Sequence, residues 1–111
     1  MASQNTFSKQ VTNVLSVVSE TPVEAHFAVL VNTTAAIAYL QIFTQLYSGV
    51  TVGTTVPTYV IPVAANGSVI LGMGGSNNSA GWRLGGQSCS VAATTTRGGA
   101  VSAPIDTLIG L

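Results

Sequence analysis

After residue 24 this chain is divided into short apolar runs by clusters of Gly, Asn, Pro and Ser, with no long helical pattern between them. Runs of about four to eight residues that are apolar or alternate in polarity, bounded by turn residues, are typical of β-strands. The runs are residues 26–31, 36–43, 58–63, 68–73, 88–96 and 105–109. Their even spacing favours an antiparallel sandwich or a small barrel. We therefore predict an all-β protein, an antiparallel β-sandwich of jelly-roll-like form.

The first two runs, 26–31 and 36–43, are apolar on both faces and are separated by Asn32-Thr33-Thr34. Such strands are typical of the middle of a sandwich, where one face lies on the core and the other is covered by a neighbouring chain or a loop. The sequence predicts that these runs are consecutive antiparallel strands.

Pro57 lies immediately before the run 58–63, and Pro62 lies within it. Because proline has no N–H to donate to a ladder, we predict an edge strand or a bulge there. Residues 64–67 follow and contain Asn66-Gly67, a strong hairpin signal because both residues tolerate a positive φ. Four connecting residues predict a loop longer than a two-residue turn.

Residues 72–86 are rich in glycine and predict a long loop that contains Asn77, Asn78, Trp82 and Arg83. Trp and Arg are favoured at interfaces, so these four residues form a candidate loop-binding patch. The alternative is that Trp82 caps one end of the sandwich core. A second glycine-rich turn is predicted at residues 97–100.

The first 22 residues are predicted to form an extended N-terminal arm or a first strand, and residues 23–111 a single β-sandwich domain. The residues before Gln10 are polar, as in a terminal arm. Residues 14–18 fit helical spacing as well as strand composition, and their β-branched side chains favour a strand.

Only three Lys or Arg and three Asp or Glu occur among the 111 residues, and the formal net charge is zero. The cations Lys9, Arg83 and Arg97 cannot form the basic stripe that a phosphate backbone requires, so we expect no nucleic-acid partner. A polar surface without charge offers little repulsion between copies. The composition therefore predicts a protein that packs against neighbours.

Few residues are suited to catalysis, and we predict that the chain is not an enzyme. His26 is two positions from Glu24, which predicts a half-buried histidine paired with a surface acid. A triad of His26, Asp106 and a serine lacks the G-x-S-x-G nucleophile motif. Cys89 has no basic neighbour in the sequence and is predicted to be an inert core thiol. With one Cys and one His, we expect no metal, no cofactor and no small-molecule substrate.

The N-terminus has no basic segment followed by an apolar run, so it predicts no secretory signal. The apolar stretch 35–43 is shorter than the roughly 20 residues of a membrane helix. We expect a protein made in the cytoplasm without a membrane partner.

Three segments of the chain resemble small β-sandwich proteins encoded among the virion genes of tailed bacteriophages. They run from Asn32 through Tyr39-Leu40-Gln41-Ile42-Phe43, from Val52 to Ser68, and from Gly85-Gly86 through Ser90-Val91-Ala92-Ala93-Thr94-Thr95-Thr96. The resemblance implies a capsid decoration, or cement, protein that binds the outer surface of the major capsid protein lattice. The expected location is the outside of the virion.

Such a protein is expected to form a homo-oligomer, a dimer or a trimer over a symmetry axis of the shell. The candidate oligomer or capsid interface consists of apolar residues from the central strands and the N-terminal segment: Phe27, Leu40, Phe43, Val11 and Leu15. The alternative function is a carbohydrate- or receptor-binding module of a phage fibre or tail, with Trp82, Asn77, Asn78 and Tyr47 as contributors.

Overall fold

Ten β-strands and one short 3-10 helix make up the described part of the chain. The structure is a computed structural model that describes residues 6–21, 23–72, 82–84 and 87–111, with only the backbone described at residues 23, 24 and 82–84. The strands are β1 (Thr6–Val11), β2 (Ser16–Ser19), β3 (Val23–Ala25), β4 (Phe27–Val31), β5 (Ala38–Phe43), β6 (Tyr59–Val63), β7 (Ser68–Gly72), β8 (Trp82–Leu84), β9 (Cys89–Thr94) and β10 (Ile105–Gly110). The 3-10 helix spans Tyr47–Gly49.

Two four-stranded antiparallel sheets pack against each other as a β-sandwich. The first sheet has the order β1-β10-β4-β7 and the second sheet the order β2-β9-β5-β6, while β3 and β8 form a separate two-stranded pair. The predicted all-β sandwich is therefore confirmed. The two runs predicted for the middle of the sandwich became β4 and β5, and each is a central strand of its sheet.

The strand pairs are nested one inside the other. β5 pairs with β6, β4 with β7, β3 with β8, β2 with β9 and β1 with β10, all antiparallel. The chain thus runs as one long hairpin that turns at the β5–β6 connection and folds over into two sheets. Two further antiparallel pairs complete the four-stranded sheets: β10–β4 in the first sheet and β9–β5 in the second.

Two neighbour relations predicted from the sequence are wrong. β4 and β5 follow each other in the chain but lie in opposite sheets, and so do β6 and β7 on either side of Asn66-Gly67. The four-residue loop at 64–67 is as predicted, with Asn66 at φ 52°. Its role differs, because it carries the chain from one sheet to the other instead of closing a hairpin. Alternating polarity indicates the faces of a strand but does not reveal its partner.

The core lies between the sheets and is aliphatic. Its buried side chains are those of Val11, Ala25, Ala28, Leu30, Ala38, Leu40, Ile42, Val63, Cys89, Val91, Ala93, Ala103, Ile105 and Ile109. Successive core positions on each strand are two residues apart, which is the period of a pleated strand with one face inward. Ile61, Val69 and Leu71 pack against this cluster from the edge strands, as the alternation of the sequence predicts.

Asn32 joins the two loops that cross between the sheets at the same end of β4. Its buried side-chain Nδ2 donates to the carbonyl oxygens of Ala36 at 2.8 Å and Val63 at 3.1 Å. Its Oδ1 accepts a hydrogen bond from the Thr34 amide at 2.9 Å. Because an unpaired buried carbonyl is costly, one asparagine stabilises both crossings.

The extended N-terminal arm is not confirmed for the described residues. β1 pairs with β10 along its whole length, from Thr6 opposite Gly110 to Val11 opposite Ile105. β2 pairs with β9 with a register shift between Val17 and Ser19. The strand preference predicted for residues 14–18 is confirmed over its C-terminal part.

The positions of β6 and β8 test two other predictions, an edge strand with proline and a long loop. β6 contains Pro62 and is an edge strand of the second sheet, as its proline predicts. The long loop predicted for residues 72–86 is wrong in part, because residues 82–84 form β8 and pair with β3. Glycines on either side concealed this three-residue strand, which depends on a distant partner and not on a local pattern.

Candidate functional site

The two outer faces of the sandwich differ, and the outer face of the second sheet is covered by the chain itself. All six residues of β9 are buried, and so are Gln41 and Phe43 on the outward-pointing positions of β5. The cover consists of residues 44–58, between β5 and β6, and residues 95–104, between β9 and β10. We call these two segments the covering loops. The sequence predicts that a loop or a neighbouring chain covers the outer side of β5. In the structure, the chain's own loops cover it.

Side chains of Gln41 in β5 and of Ser88, just before β9, hold the covering loops in place. Gln41 Nε2 donates to Thr94 Oγ1 at 2.6 Å and to the Gly99 carbonyl oxygen at 3.1 Å. Ser88 Oγ donates to the Gln45 carbonyl oxygen at 3.0 Å and accepts from the Tyr47 amide at 3.0 Å. The buried Gln41 Oε1 and Ser90 Oγ have no hydrogen-bond partner among the described residues.

The outer face of the first sheet, in contrast, is apolar at its centre. Register and alternation place five apolar side chains on this side, across β4, β7 and β10: Phe27, Val29, Val31, Ile70 and Leu108. Phe27 is 41% exposed and Ile70 75% exposed, while Val29, Val31 and Leu108 are half-buried. We call these five residues the open face. A sandwich strand with one wetted side normally carries polar residues there.

Polar side chains border the open face on the β1–β10 side. A groove of about 300 Å³ lies between them and the apolar residues, and its lining comes entirely from strands of the first sheet: Ser8, Lys9, Gln10, Val29, Val31, Asp106, Thr107 and Leu108. At the other end, the Phe27 ring lies so close to Gly110 that a Cβ on Gly110 would collide with it. The ring thereby covers a glycine that lacks a side chain of its own.

A second groove lies between the covering loops, on the opposite side of the molecule from the open face. Its volume is about 320 Å³ and its lining is Thr54, Thr55, Val56, Pro57, Val60, Arg97 and Gly98. The Arg97 guanidinium carbon is 5.8 Å from the centroid of the Tyr39 ring. This cation–π contact holds a positive charge at the border of the groove.

Three of the five predicted interface residues are corrected by the structure. Val11, Leu40 and Phe43 are at most 1% exposed, so they are packed inside the domain and offer no surface to a partner. An apolar residue in a central strand has the same sequence pattern whether its own loops or another molecule cover it. Phe27 is exposed and belongs to the open face, and Leu15 is half-buried.

The predicted loop-binding patch lies largely outside the described residues. Asn77 and Asn78 are not described, and Trp82 and Arg83 are described only as backbone in β8. The β3–β8 register places Ala25 opposite Trp82 and Glu24 opposite Arg83. Tyr47 is half-buried at the start of the 3-10 helix.

The structure places the candidate chemical residues Cys89, His26 and Asp106 on β9, just before β4 and on β10. Burial in the core raises the pKa of the Cys89 thiol from 9.0 to about 12, which agrees with the predicted inert thiol. His26 is exposed and not half-buried as predicted, and the side chain of Glu24 is not described. Asp106 is exposed at the border of the open face. No group of three or more His, Cys, Asp or Glu that could hold a metal occurs among the described residues.

The sequence analysis did not single out the residues of the open face other than Phe27. The signal for Val29 and Val31 was present, because their run is apolar at both alternating sets of positions. Ile70 lies between Val69 and Leu71, which pack against the core, and Leu108 lies next to the core residue Ile109. A strand that is apolar on both sides has a second apolar face to cover, and only the structure reveals which strands are covered by loops.

No protein family, curated protein or solved structure matches this chain. No helix among the described residues is long and apolar enough to cross a membrane.

Proposed function

We propose that this chain is a non-enzymatic structural protein of a tailed-bacteriophage virion, which decorates and stabilises the capsid as a homo-oligomer on the outer surface of the major capsid lattice. The observation that carries the proposal is the open face: an apolar sheet surface, uncovered by any described residue, on a molecule with almost no charge. Exposed apolar patches bordered by polar residues are typical of surfaces that bind other proteins.

The nested strand pairing supports the same proposal. Eight strands in two four-stranded sheets, rolled up from one long hairpin, have the arrangement expected for a jelly roll. Capsid domains are among the proteins built in this way. Because one fold serves many functions, the strand arrangement alone does not support this function and is used only together with the open face.

Binding in many copies explains how such a protein would stabilise a shell. A capsid presents many equivalent sites, so modest contacts between decoration subunits add to the contact of each subunit with the lattice. A protein that binds only the assembled shell stabilises that shell by mass action. No chemical step is needed, and the major capsid protein is the expected partner.

The test is to mix the purified protein with capsids that lack it, to sediment the particles, and to count the bound copies. We expect saturable, stoichiometric binding and a higher temperature of capsid rupture. The control is a preparation of the same capsids already saturated with the protein, which should bind no further copies. Absence of binding by the wild-type protein contradicts the proposal.

The groove between the covering loops favours a second candidate function, a carbohydrate- or receptor-binding module. Loops at the surface of a sandwich commonly carry such sites, and here Arg97 is held over Tyr39 beside the groove. Glycan retention that is lost in Arg97→Ala, without capsid binding by the wild-type protein, would favour this function.

A further inference from the structure

We propose that the groove between the covering loops binds a single sugar residue that carries a carboxylate, with Arg97 as the partner of that carboxylate. This binding would be the chemical basis of the second candidate function, on which the proposal rests, and it is independent of capsid decoration. It distinguishes an acidic sugar from a neutral one by one residue.

The groove carries a positive charge that no described residue neutralises. Arg97 is part of its lining, which contains no Asp or Glu among the described residues. The Arg97 guanidinium contacts the Tyr39 ring, 5.8 Å from the centroid, and makes no ion pair or hydrogen bond with a described residue. Its N–H donors are therefore available to a ligand of negative charge.

One guanidinium matches one carboxylate. Arg presents parallel N–H donors that fit the two oxygens of a carboxylate group. A chain of phosphates would require several cations at one surface. Among the described side chains the one other Lys or Arg is Lys9, which lines the groove of the first sheet. The charge of the groove between the covering loops thus favours a ligand with a single negative charge.

The rest of the lining suits a sugar ring. Thr54 and Thr55 contribute hydroxyl groups. The Thr55 Oγ1 accepts a hydrogen bond from the Thr51 amide at 2.9 Å, so its own hydrogen can be donated to a ligand. Three apolar side chains complete this side of the groove: Val56, Pro57 and Val60. A sugar ring has C–H groups on its faces and hydroxyls at its rim, and it can use both kinds of surface.

The backbone on both sides of the groove is held by hydrogen bonds within the chain. The amides of Thr54 and Thr55 both donate to the Thr51 carbonyl oxygen, at 3.0 and 2.8 Å. In the other loop, the Gly99 carbonyl oxygen accepts from Nε2 of the buried Gln41 at 3.1 Å. Because both loops are held before a ligand arrives, binding requires little further ordering of the chain.

The size of the groove limits the ligand to about one ring. Its volume of about 320 Å³ lies at the lower end of the roughly 300 to 1,000 Å³ of small-molecule sites. A single ring makes few contacts, so we expect a dissociation constant of about 1 mM. Many copies displayed together would bind a polymer of acidic sugars more tightly.

The experiment is an NMR titration of the purified, isotope-labelled full-length protein with methyl glucuronide up to about 20 mM. Methyl glucoside is the matched probe, because it has the same ring with a hydroxymethyl group in place of the carboxylate. Acetate is the second probe, because it has the carboxylate without the ring. We expect shifts of the amide signals at residues 54–56, 97 and 98, and at least about tenfold weaker binding of methyl glucoside and of acetate.

Two variants separate the role of Arg97 from that of positive charge in general. Arg97→Ala should weaken the binding of methyl glucuronide at least about tenfold. Lys9→Ala is the matched control, since it removes a cation that lines the groove of the first sheet, and it should bind like the wild-type protein. Arg97 is an exposed loop residue, so its substitution leaves the core intact, and circular dichroism checks the fold of both variants.

Four results would overturn the proposed site: no shift with methyl glucuronide, equal binding of the two sugars, equal binding of acetate, or equal binding by the wild-type and Arg97→Ala proteins. Equal binding of the two sugars would retain carbohydrate binding and exclude the acidic ligand. Capsid binding is measured separately. A protein that binds capsids but not methyl glucuronide retains decoration and loses this site, and one that binds methyl glucuronide but not capsids retains this site and contradicts decoration.

Discussion

At the scale of single residues, Cys89 illustrates how burial removes reactivity. Its side chain is fully buried in the core, and desolvation of the thiolate raises the pKa of the thiol to about 12. The reactive form of cysteine is the thiolate. In the folded protein the side chain therefore acts as a small apolar residue at neutral pH.

The raised pKa predicts a dependence of stability on alkaline pH. Below pH 9.0 the thiol is protonated in both states; above it the unfolded thiol ionises while the folded thiol keeps its proton up to about pH 12. The free energy of unfolding therefore falls as the pH rises through this range. Urea unfolding at about pH 8 and pH 10.5 should show a loss of up to about 2 kcal/mol in the wild-type protein that Cys89→Ala lacks.

Thiol labelling checks the same property without unfolding. A disulfide reagent at about pH 8 should modify the unfolded chain quickly and the folded protein only as fast as the protein opens. Rapid labelling of the folded protein, or equal alkaline losses in wild-type and Cys89→Ala proteins, would contradict the buried protonated thiol.

The contrast between Phe43 and Phe27 shows that the burial of a single side chain cannot be predicted from residue type and spacing alone. Both are aromatic residues at the end of an apolar strand, and the sequence predicts both as interface residues. The structure buries Phe43 at 1% exposure and leaves Phe27 at 41%. Residue type and spacing give the face of a strand, but burial of that face depends on loops that return from distant parts of the chain. Cys89 was predictable because its run alternates regularly and no charged residue lies near it in the sequence.

At the scale of elements, the covering loops determine which face of the sandwich remains available. They meet at Gly53 and Ala100: Gly53 has φ 94°, and a Cβ there would come within 2.7 Å of the Ala100 Cβ. Glycine adopts this conformation without the steric cost that other residues have. The contact allows the loop after β5 to lie directly against the loop after β9.

Gly53→Ala should therefore destabilise the protein, since it adds both backbone strain and a clash between the covering loops. We expect a loss of about 2 to 3 kcal/mol, measured by urea unfolding. Gly98→Ala is the matched control, because it lies in the partner loop with nothing within 4 Å of the added Cβ and without a positive φ. It should be neutral or stabilise by up to about 1 kcal/mol. Equal losses in the two variants would show that the contact between the loops is not important.

Strand positions were more predictable than strand pairing. The six runs after residue 24 correspond to β4, β5, β6, β7, β9 and β10, with ends displaced by at most two residues. Nested pairing was not predictable, because each pair except β5–β6 joins segments separated by other strands. β8 was missed since three residues between glycines have no period to detect.

At the scale of the whole molecule, the sandwich has two sides with different properties. One side has the open face, which is apolar at its centre and bordered by a groove. The other has the covering loops, with a groove and Arg97 at its border. The proposed decoration of a shell rests on the open face, and the alternative glycan- or receptor-binding function rests on the groove.

Electron cryomicroscopy of capsids assembled without the protein, and then saturated with it, would show whether the protein decorates the outer shell. We predict sandwich-shaped density at regular positions on the outer shell. Shells that remain bare at saturation, with the protein recovered unbound or attached to a fibre or tail, would contradict it.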